Sequence, residues 1–471
     1  MKTPLLIITI SIVITGFVFG ADWPQYLGPT RNAVSTETGL LRSWPEGGPA
    51  VLWTVELGPG FGGAAVSKGS VYLLDREGDK QDVIRCIDLR SGKEQWRYAY
   101  DAPGSYSFPG SRTVPAVDGT RLYTCGPMGD VTCLDINTHA VVWKTNIWAG
   151  FGGERLPNWA ITQNPLIHGN LVILAAQTPQ AGVVAFNKET GNVVWKTTAL
   201  PGKTGYVSPT VVTINGEAQI VMISAGGGGR RRRGGDQENQ QQEQSNKGVV
   251  TGIDPKTGTT LWTYDGWQCS IPVPNVVEAG DGKLLITGGY DAGSAMIKIE
   301  KQESGYTAKE VYKTKDFGTH VHPPILYKGY FYANCTDNSR KDGRACMALD
   351  GTVKWKTGTD PVFDKGGFIL ADGLLLSVDG VKGILYLTEP NPEGFKKLAE
   401  AKLLDTQQCW GPLALSDGML LIRDQKQMKC VQVKGGTAVA KPSVKETDKT
   451  TGEKQQTEKA DTATEKPNTK E

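Results

Sequence analysis

The sequence predicts an all-β fold, an eight-bladed β-propeller of four-stranded antiparallel blades, and three observations carry the prediction. A hairpin of the form Asp-x-x-Thr-Gly-x-x-x-Trp recurs along the chain. Each copy follows a second strand–glycine turn–strand signature, giving four short strands in a repeat of roughly 45–50 residues, the size of one blade. The composition agrees: Gly 59 and Trp 12 suit many short strands joined by turns and punctuated by packed aromatics. Lys+Arg 51 stands against Asp+Glu 49, so no charge bias draws the chain to nucleic acid or a membrane surface.

Residues 1–20 read as a signal peptide. Lys2 precedes an apolar run from Leu5 to Phe19, shorter than the roughly 20 residues of a spanning helix. Val18 and Gly20 suit cleavage after Gly20, with an uncleaved anchor as the open alternative. The expected mature protein is soluble, periplasmic or secreted, with no transmembrane segment. Residues 21–50 read as an extended arm, because Pro24, Gly28 and Pro29 forbid a regular helix. Its Trp23, Tyr26 and Trp44 are expected to pack on a larger body.

The propeller is expected over 51–434. Ile253–Trp262 shows the repeat at full strength. Asp254 can accept turn N–H groups, Gly258 supplies positive φ, and Trp262 is an apolar wedge. Further copies run from Ile87 through Asp88 to Trp96, from Leu134 through Asp135 to Trp143, and from Phe186 through Asn187 to Trp195. A shortened one runs from Leu349 through Asp350 to Trp355. Two degenerate copies lie at Met296–Ile299 with Val311-Tyr312 and at Ile384–Leu387 with Leu398. Val51–Glu56 lacks an Asp strand before it and Met428–Val433 lacks a Trp strand after it, so the two ends together are expected to close the ring. Seven blades, with one degenerate copy an insertion, remains the alternative. The low-complexity stretch 226–248, with Arg230–Arg233, and the Thr/Lys/Glu-rich tail 435–471 are expected to be disordered.

The eight cysteines mostly fall where small residues are wanted. Cys86, Cys133, Ala185, Gly252, Ala348 and Cys430 stand two residues before the Asp position, which suggests a bulky neighbour, taken to be the Trp of an adjacent blade. Disulfides Cys125–Cys133 and Cys335–Cys346 stay open, since each pair flanks a hairpin turn. No spacing of the zinc or haem type occurs, and no metal site or catalytic constellation is assigned.

Function is expected in the loops leading into each blade's first strand, which gather around the axis on one face. They carry Arg112 near Phe108; Trp159 and Gln163; Tyr206; Trp267; His320 and His322; and Trp410, with Asp364 and Lys365 in a further loop. Aromatics, amides and cations converging on one mouth make a candidate ligand-binding site.

The repeats Asp254–Trp262, Asn187–Trp195 and Asp88–Trp96 resemble the pyrroloquinoline quinone (PQQ)-type propeller repeats. Asp22-Trp23-Pro24-x-x-x-Gly28-Pro29 and Leu40-Leu41-x-x-Trp44-Pro45 resemble exported PQQ-like proteins of planctomycete-type bacteria. The resemblance implies one of two roles. Quinoprotein alcohol dehydrogenases hold PQQ and Ca²⁺ at the propeller axis, but their adjacent-cysteine disulfide is absent here and no calcium set of acidic and amide residues lines up. The BamB-type assembly factors are non-catalytic partner-binding propellers, but this chain lacks their lipid-modified cysteine. The expected role is a non-catalytic binding or scaffold protein without a cofactor, serving an envelope protein or a small molecule. The alternative is a PQQ- and calcium-dependent dehydrogenase of an alcohol or sugar.

Overall fold

The computed structural model describes residues 21–227 and 247–435. The expected signal peptide, residues 228–246 of the insertion expected at 226–248, and residues 436–471 of the tail expected at 435–471 lie outside the described residues.

Eight sheets are present, each built on four antiparallel strands. Blade 1 spans 65–101, blade 2 116–146, blade 3 166–196, blade 4 210–264, blade 5 277–314, blade 6 325–356 and blade 7 368–402. Blade 8 joins the two ends of the chain. Its inner three strands lie within 414–432, and its outer strand is Val51–Glu56, paired antiparallel with Gln427–Gln432. Both degenerate copies are complete blades, which excludes the seven-bladed count. In blade 5 Tyr312 stands opposite Met296, and in blade 7 Ala399 stands opposite Leu387. Closing the ring removes the open sheet edges that an arc of blades would expose.

The repeat residues act mainly between blades. In the Asp254 turn the side chain accepts the Lys256 N–H at 2.7 Å, while the Gly258 N–H bonds to the Asp254 carbonyl at 2.9 Å. Gly258 has φ +74, and a Cβ there would lie 2.6 Å from the Trp195 ring of the preceding blade. The same seat recurs where Gly92 meets Trp53 and Gly191 meets Trp143, each at 2.6 Å, and where Gly351 meets Tyr312 at 2.8 Å. Each seated indole also donates Nε1–H to a turn carbonyl of the next blade. Trp53 reaches Leu89 at 2.8 Å, Trp143 reaches Lys188 at 2.9 Å, Trp195 reaches Pro255 at 3.0 Å and Trp355 reaches Asn391 at 2.9 Å. Where blade 2 carries His139 in place of the glycine, Trp96 stacks on its ring at 4.7 Å. Gly258→Ala is therefore expected to cost about 2–4 kcal/mol through left-handed strain and overpacking together, seen as a lower urea midpoint at unchanged m-value.

The small residues before the Asp face a tryptophan of their own blade, which corrects the adjacent-blade expectation. Cys86 stands opposite Trp96, Cys133 opposite Trp143, Ala185 opposite Trp195, Gly252 opposite Trp262 and Cys430 opposite Trp53. In blade 6 the residue opposite Trp355 is Cys346, not Ala348, because the shortened turn moves the motif by two positions. All eight cysteines are free and buried. Register explains why neither candidate disulfide forms: Cys125 faces Val131 while Cys133 faces Tyr123, and Cys346 faces Tyr332 rather than Cys335.

The arm runs across one face of the ring. Trp23, 1% exposed, exchanges two backbone hydrogen bonds with Val66 of blade 1. Pro24 accepts the Val117 N–H of blade 2, and Arg31 reaches the carbonyls of Pro165 and Pro209 ahead of blades 3 and 4. Val34–Ser35 then adds a parallel fifth strand to blade 7, and Glu37 accepts the Gly418 N–H of blade 8 at 2.6 Å. Tyr26 is buried in this crossing, and Trp44 packs half-buried against the core. Among the described residues no helix is long and apolar enough to cross a membrane.

Candidate functional site

The arm covers one end of the axis, and the other end opens as a funnel whose lining includes Tyr26 of the arm. Its walls come from the loops that lead into the blades. Phe61 belongs to blade 1, Phe108 and Arg112 to blade 2, Trp159 to blade 3 and Tyr206 to blade 4. His320 and His322 come from blade 6, Lys365 from blade 7 and Trp410 from blade 8. Six of the eight sequence-predicted residues thus share one cavity: Arg112, Trp159, Tyr206, His320, His322 and Trp410.

The aromatic side chains form a nearly continuous wall. Trp410 stacks on Phe61 at 5.3 Å, Phe61 meets Phe108 edge-on at 6.0 Å, and Phe108 meets Trp159 at 6.3 Å. Trp159 then packs on Tyr206 at 5.0 Å and on His320 at 6.4 Å, and His320 meets Tyr290 at 4.7 Å. Phe108 is 38% exposed and adopts φ +60, a conformation that costs a non-glycine residue about 1–2 kcal/mol. Strain combined with an exposed aromatic at a cavity mouth is a mark of a binding loop.

The funnel is electrostatically one-sided. Arg112 and Lys365 line it and no carboxylate does. Lys365 pairs with Asp364 at 3.1 Å behind the wall, and Asp364 also accepts Trp410 Nε1–H at 2.7 Å. Burial brings Arg112 down to about 10, still protonated at neutral pH. Burial also holds both histidines down to about 4, so they are neutral at pH 7. His322 Nε2 lies 2.9 Å from the Trp410 carbonyl, which fixes that nitrogen as the N–H donor. In the unfolded chain these rings titrate near pH 6.5, so below that the unfolded state takes up protons and stability falls with pH. Acidification from pH 7 to about 4.5 is expected to cost on the order of 2–3 kcal/mol per ring, and His322→Gln should lose less stability over that interval in thermal melts.

Two expected site residues face elsewhere. Gln163 is 2% exposed and latches blades 3 and 4, donating to the Val207 carbonyl at 3.0 Å and accepting from the Ala175 N–H at 3.2 Å. Trp267, 5% exposed, packs over Gly288 inside the core shared by blades 4 and 5. Both ends of the Gln163 amide are paired, and Trp267 is buried against a glycine with its Nε1 lacking a hydrogen-bond partner; neither side chain lines the funnel.

Other lining residues escaped the sequence reading. Phe61 lies in the loop between the outer strand of blade 8 and blade 1, which looks like a chain end until the ring closes. Tyr290 and Asn338 sit on turns between second and third strands, which share the open face with the leading loops. The signal available at Tyr290 was the preceding Gly288-Gly289 pair. Asn164 and Asn275 continue the wall below, beside Ser208, which the sequence already places with Tyr206 in the loop leading into blade 4, and here side chains tie neighbouring blades. Asn164 Oδ1 accepts the Val114 N–H at 2.7 Å, its own N–H donates to Ser208 Oγ at 2.9 Å, and Asn275 Nδ2 donates to the Ser208 carbonyl at 2.8 Å.

Calcium requires six or more oxygen ligands, several of them carboxylate. The lining supplies two cations instead, and among the described residues no group of three His, Cys, Asp or Glu side chains converges. The funnel does not fit a calcium-bound cofactor.

Comparison with known proteins agrees with this architecture. Residues 79–248 match the family model described as outer membrane protein assembly factor BamB. BamB from Moraxella catarrhalis superposes with TM-score 0.54 at 13% identity, covering 82% of this chain and 98% of that one. The likeness is one of fold, an eight-bladed β-propeller in this chain. Quinohemoprotein alcohol dehydrogenase from Comamonas testosteroni shares it, with TM-score 0.59 at 14% identity over 88% of this chain and 81% of that one. In sequence, this chain is 25% identical to the quinoprotein alcohol dehydrogenase PedH of Pseudomonas putida over 143 residues, 29% of its length. That match spans only 22% of PedH. The chain is thus similar in fold both to an assembly factor and to dehydrogenases.

Proposed function

We propose that this chain is an exported, non-catalytic binding propeller that presents its axial funnel to an envelope protein or small molecule. The observation that carries the reading is the funnel's lining: aromatic side chains from several blades around two cations, with no carboxylate to hold calcium or act as a general base. The buried histidines are poorly suited to be that base: His322 is tied to a carbonyl through Nε2, and burial lowers the proton affinity of both rings. Fold alone supports no particular chemistry.

The test is to titrate the purified protein with PQQ and Ca²⁺, following absorbance and dye-linked alcohol oxidation. No turnover is expected. Stoichiometric PQQ binding accompanied by turnover would falsify the non-catalytic role. Dehydrogenase activity is the second reading, favoured by the likeness to PedH, and the same titration decides it.

A further inference from the structure

We propose, resting on the non-catalytic binding role, that the funnel binds a small organic anion, a carboxylate on a flat apolar body, without a metal ion. The central observation is Arg112. Its Nη2 donates to the carbonyls of Ser107 and Phe108, and its guanidinium lies 5.1 Å from the Tyr106 ring centre and 5.5 Å from that of Phe61. Its Nε is buried without a hydrogen-bond partner, and no carboxylate pairs with the group among the described residues. A guanidinium withdrawn from water in this way gains from an anion placed on its free edge. Lys365 differs, since Asp364 already balances it, which leaves Arg112 as the lining cation without a paired carboxylate.

The walls define the rest of the ligand. Phe108, Trp159 and Trp410 offer ring faces and edges, and Phe108 is held at the mouth in a left-handed conformation instead of turning into the core. Such surfaces favour a planar apolar body. A cationic ligand meets the uncompensated like charge of Arg112. A calcium chelate meets the same obstacle. The unpartnered Nδ1 of His320 stands beside these walls and provides a further polar contact.

The probes are 2-naphthoate and its neutral counterpart 2-naphthamide, titrated calorimetrically into the full chain at low salt with EDTA present. Naphthoate is expected to bind, and naphthamide at least tenfold more weakly. Arg112→Gln should weaken naphthoate tenfold or more without changing naphthamide, and Arg112→Lys should restore part of the loss. Thermal melting checks that each variant folds. Phe108→Ala, which alters an exposed side chain, should weaken both probes alike and tests the wall even if Arg112→Gln fails to fold. Equal affinity for the two probes, no binding of either, loss of naphthoate binding in EDTA, or an unchanged folded Arg112→Gln would each overturn the proposal. These failures leave the non-catalytic role standing if PQQ and Ca²⁺ also give no turnover. Turnover with PQQ and Ca²⁺ overturns the role itself.

Discussion

Trp262→Ala is expected to destabilise the propeller by about 3–5 kcal/mol, the range for truncating a buried tryptophan, with little change in affinity at the funnel. Trp262 is 4% exposed and packs within the core of blades 4 and 5. Its Nε1–H donates to Gln219 Oε1 at 2.7 Å in its own blade, because blade 5 replaces the short Asp turn with a long hairpin that offers no seat. The substitution therefore leaves both a cavity and an unpaired buried amide oxygen, placing the effect toward the upper end of the range. Urea unfolding with a constant m-value, together with naphthoate titration of the folded variant, checks both halves. A loss under about 1 kcal/mol would mean that the wedge packing is not what holds these blades.

Trp23→Ala should have a comparable effect, about 3–5 kcal/mol, with one difference in where it is felt. Trp23 is 1% exposed, and its ring lies against Gly28, where a Cβ would come within 2.8 Å. That contact folds the arm so that Tyr26 reaches the funnel. Amide exchange is expected to quicken first at Trp23, Val66 and Val117, the residues at the arm's crossing of blades 1 and 2. Naphthoate affinity should also fall, unlike in Trp262→Ala, because the floor of the cavity loosens. Uniformly faster exchange across all blades would instead make the arm part of the global unfolding unit.

The fold was legible because its repeat leaves chemical marks that do not depend on distant contacts. An Asp for the turn, a Gly for positive φ and a Trp for the wedge recur at fixed spacing whatever lies beside them. Even the split blade could be read, since Val51–Glu56 and Met428–Val433 each lack the partner that the other supplies. Less legible was what each residue faces. Cys86 and Gly252 share small size, but only register reveals that the bulky neighbour belongs to the same blade. Gln163 and Trp267 carry ligand-binding chemistry and sit in the right loops, yet a backbone carbonyl and a glycine claim them. Tyr290 and Tyr26 enter the funnel from an inner turn and the arm, which the leading-loop rule does not cover, while the Phe61 loop is seen to lead into blade 1 only once the ring is closed.

The joined blade also sets an order on assembly. Apart from the added strand Val34–Ser35, Val51–Glu56 is synthesised before every other blade strand, and its partner Gln427–Gln432 is the last of the described strands to be made. Until then the growing chain is an open arc with an unpaired edge at each end, exposed to pairing with other molecules. The pairing that ends this vulnerability spans almost the whole described ring, so its loop-closure entropy falls on the final step and slows it. Chains truncated before Gln427 are therefore expected to aggregate rather than to form a smaller propeller, and the finished ring should open slowly once latched.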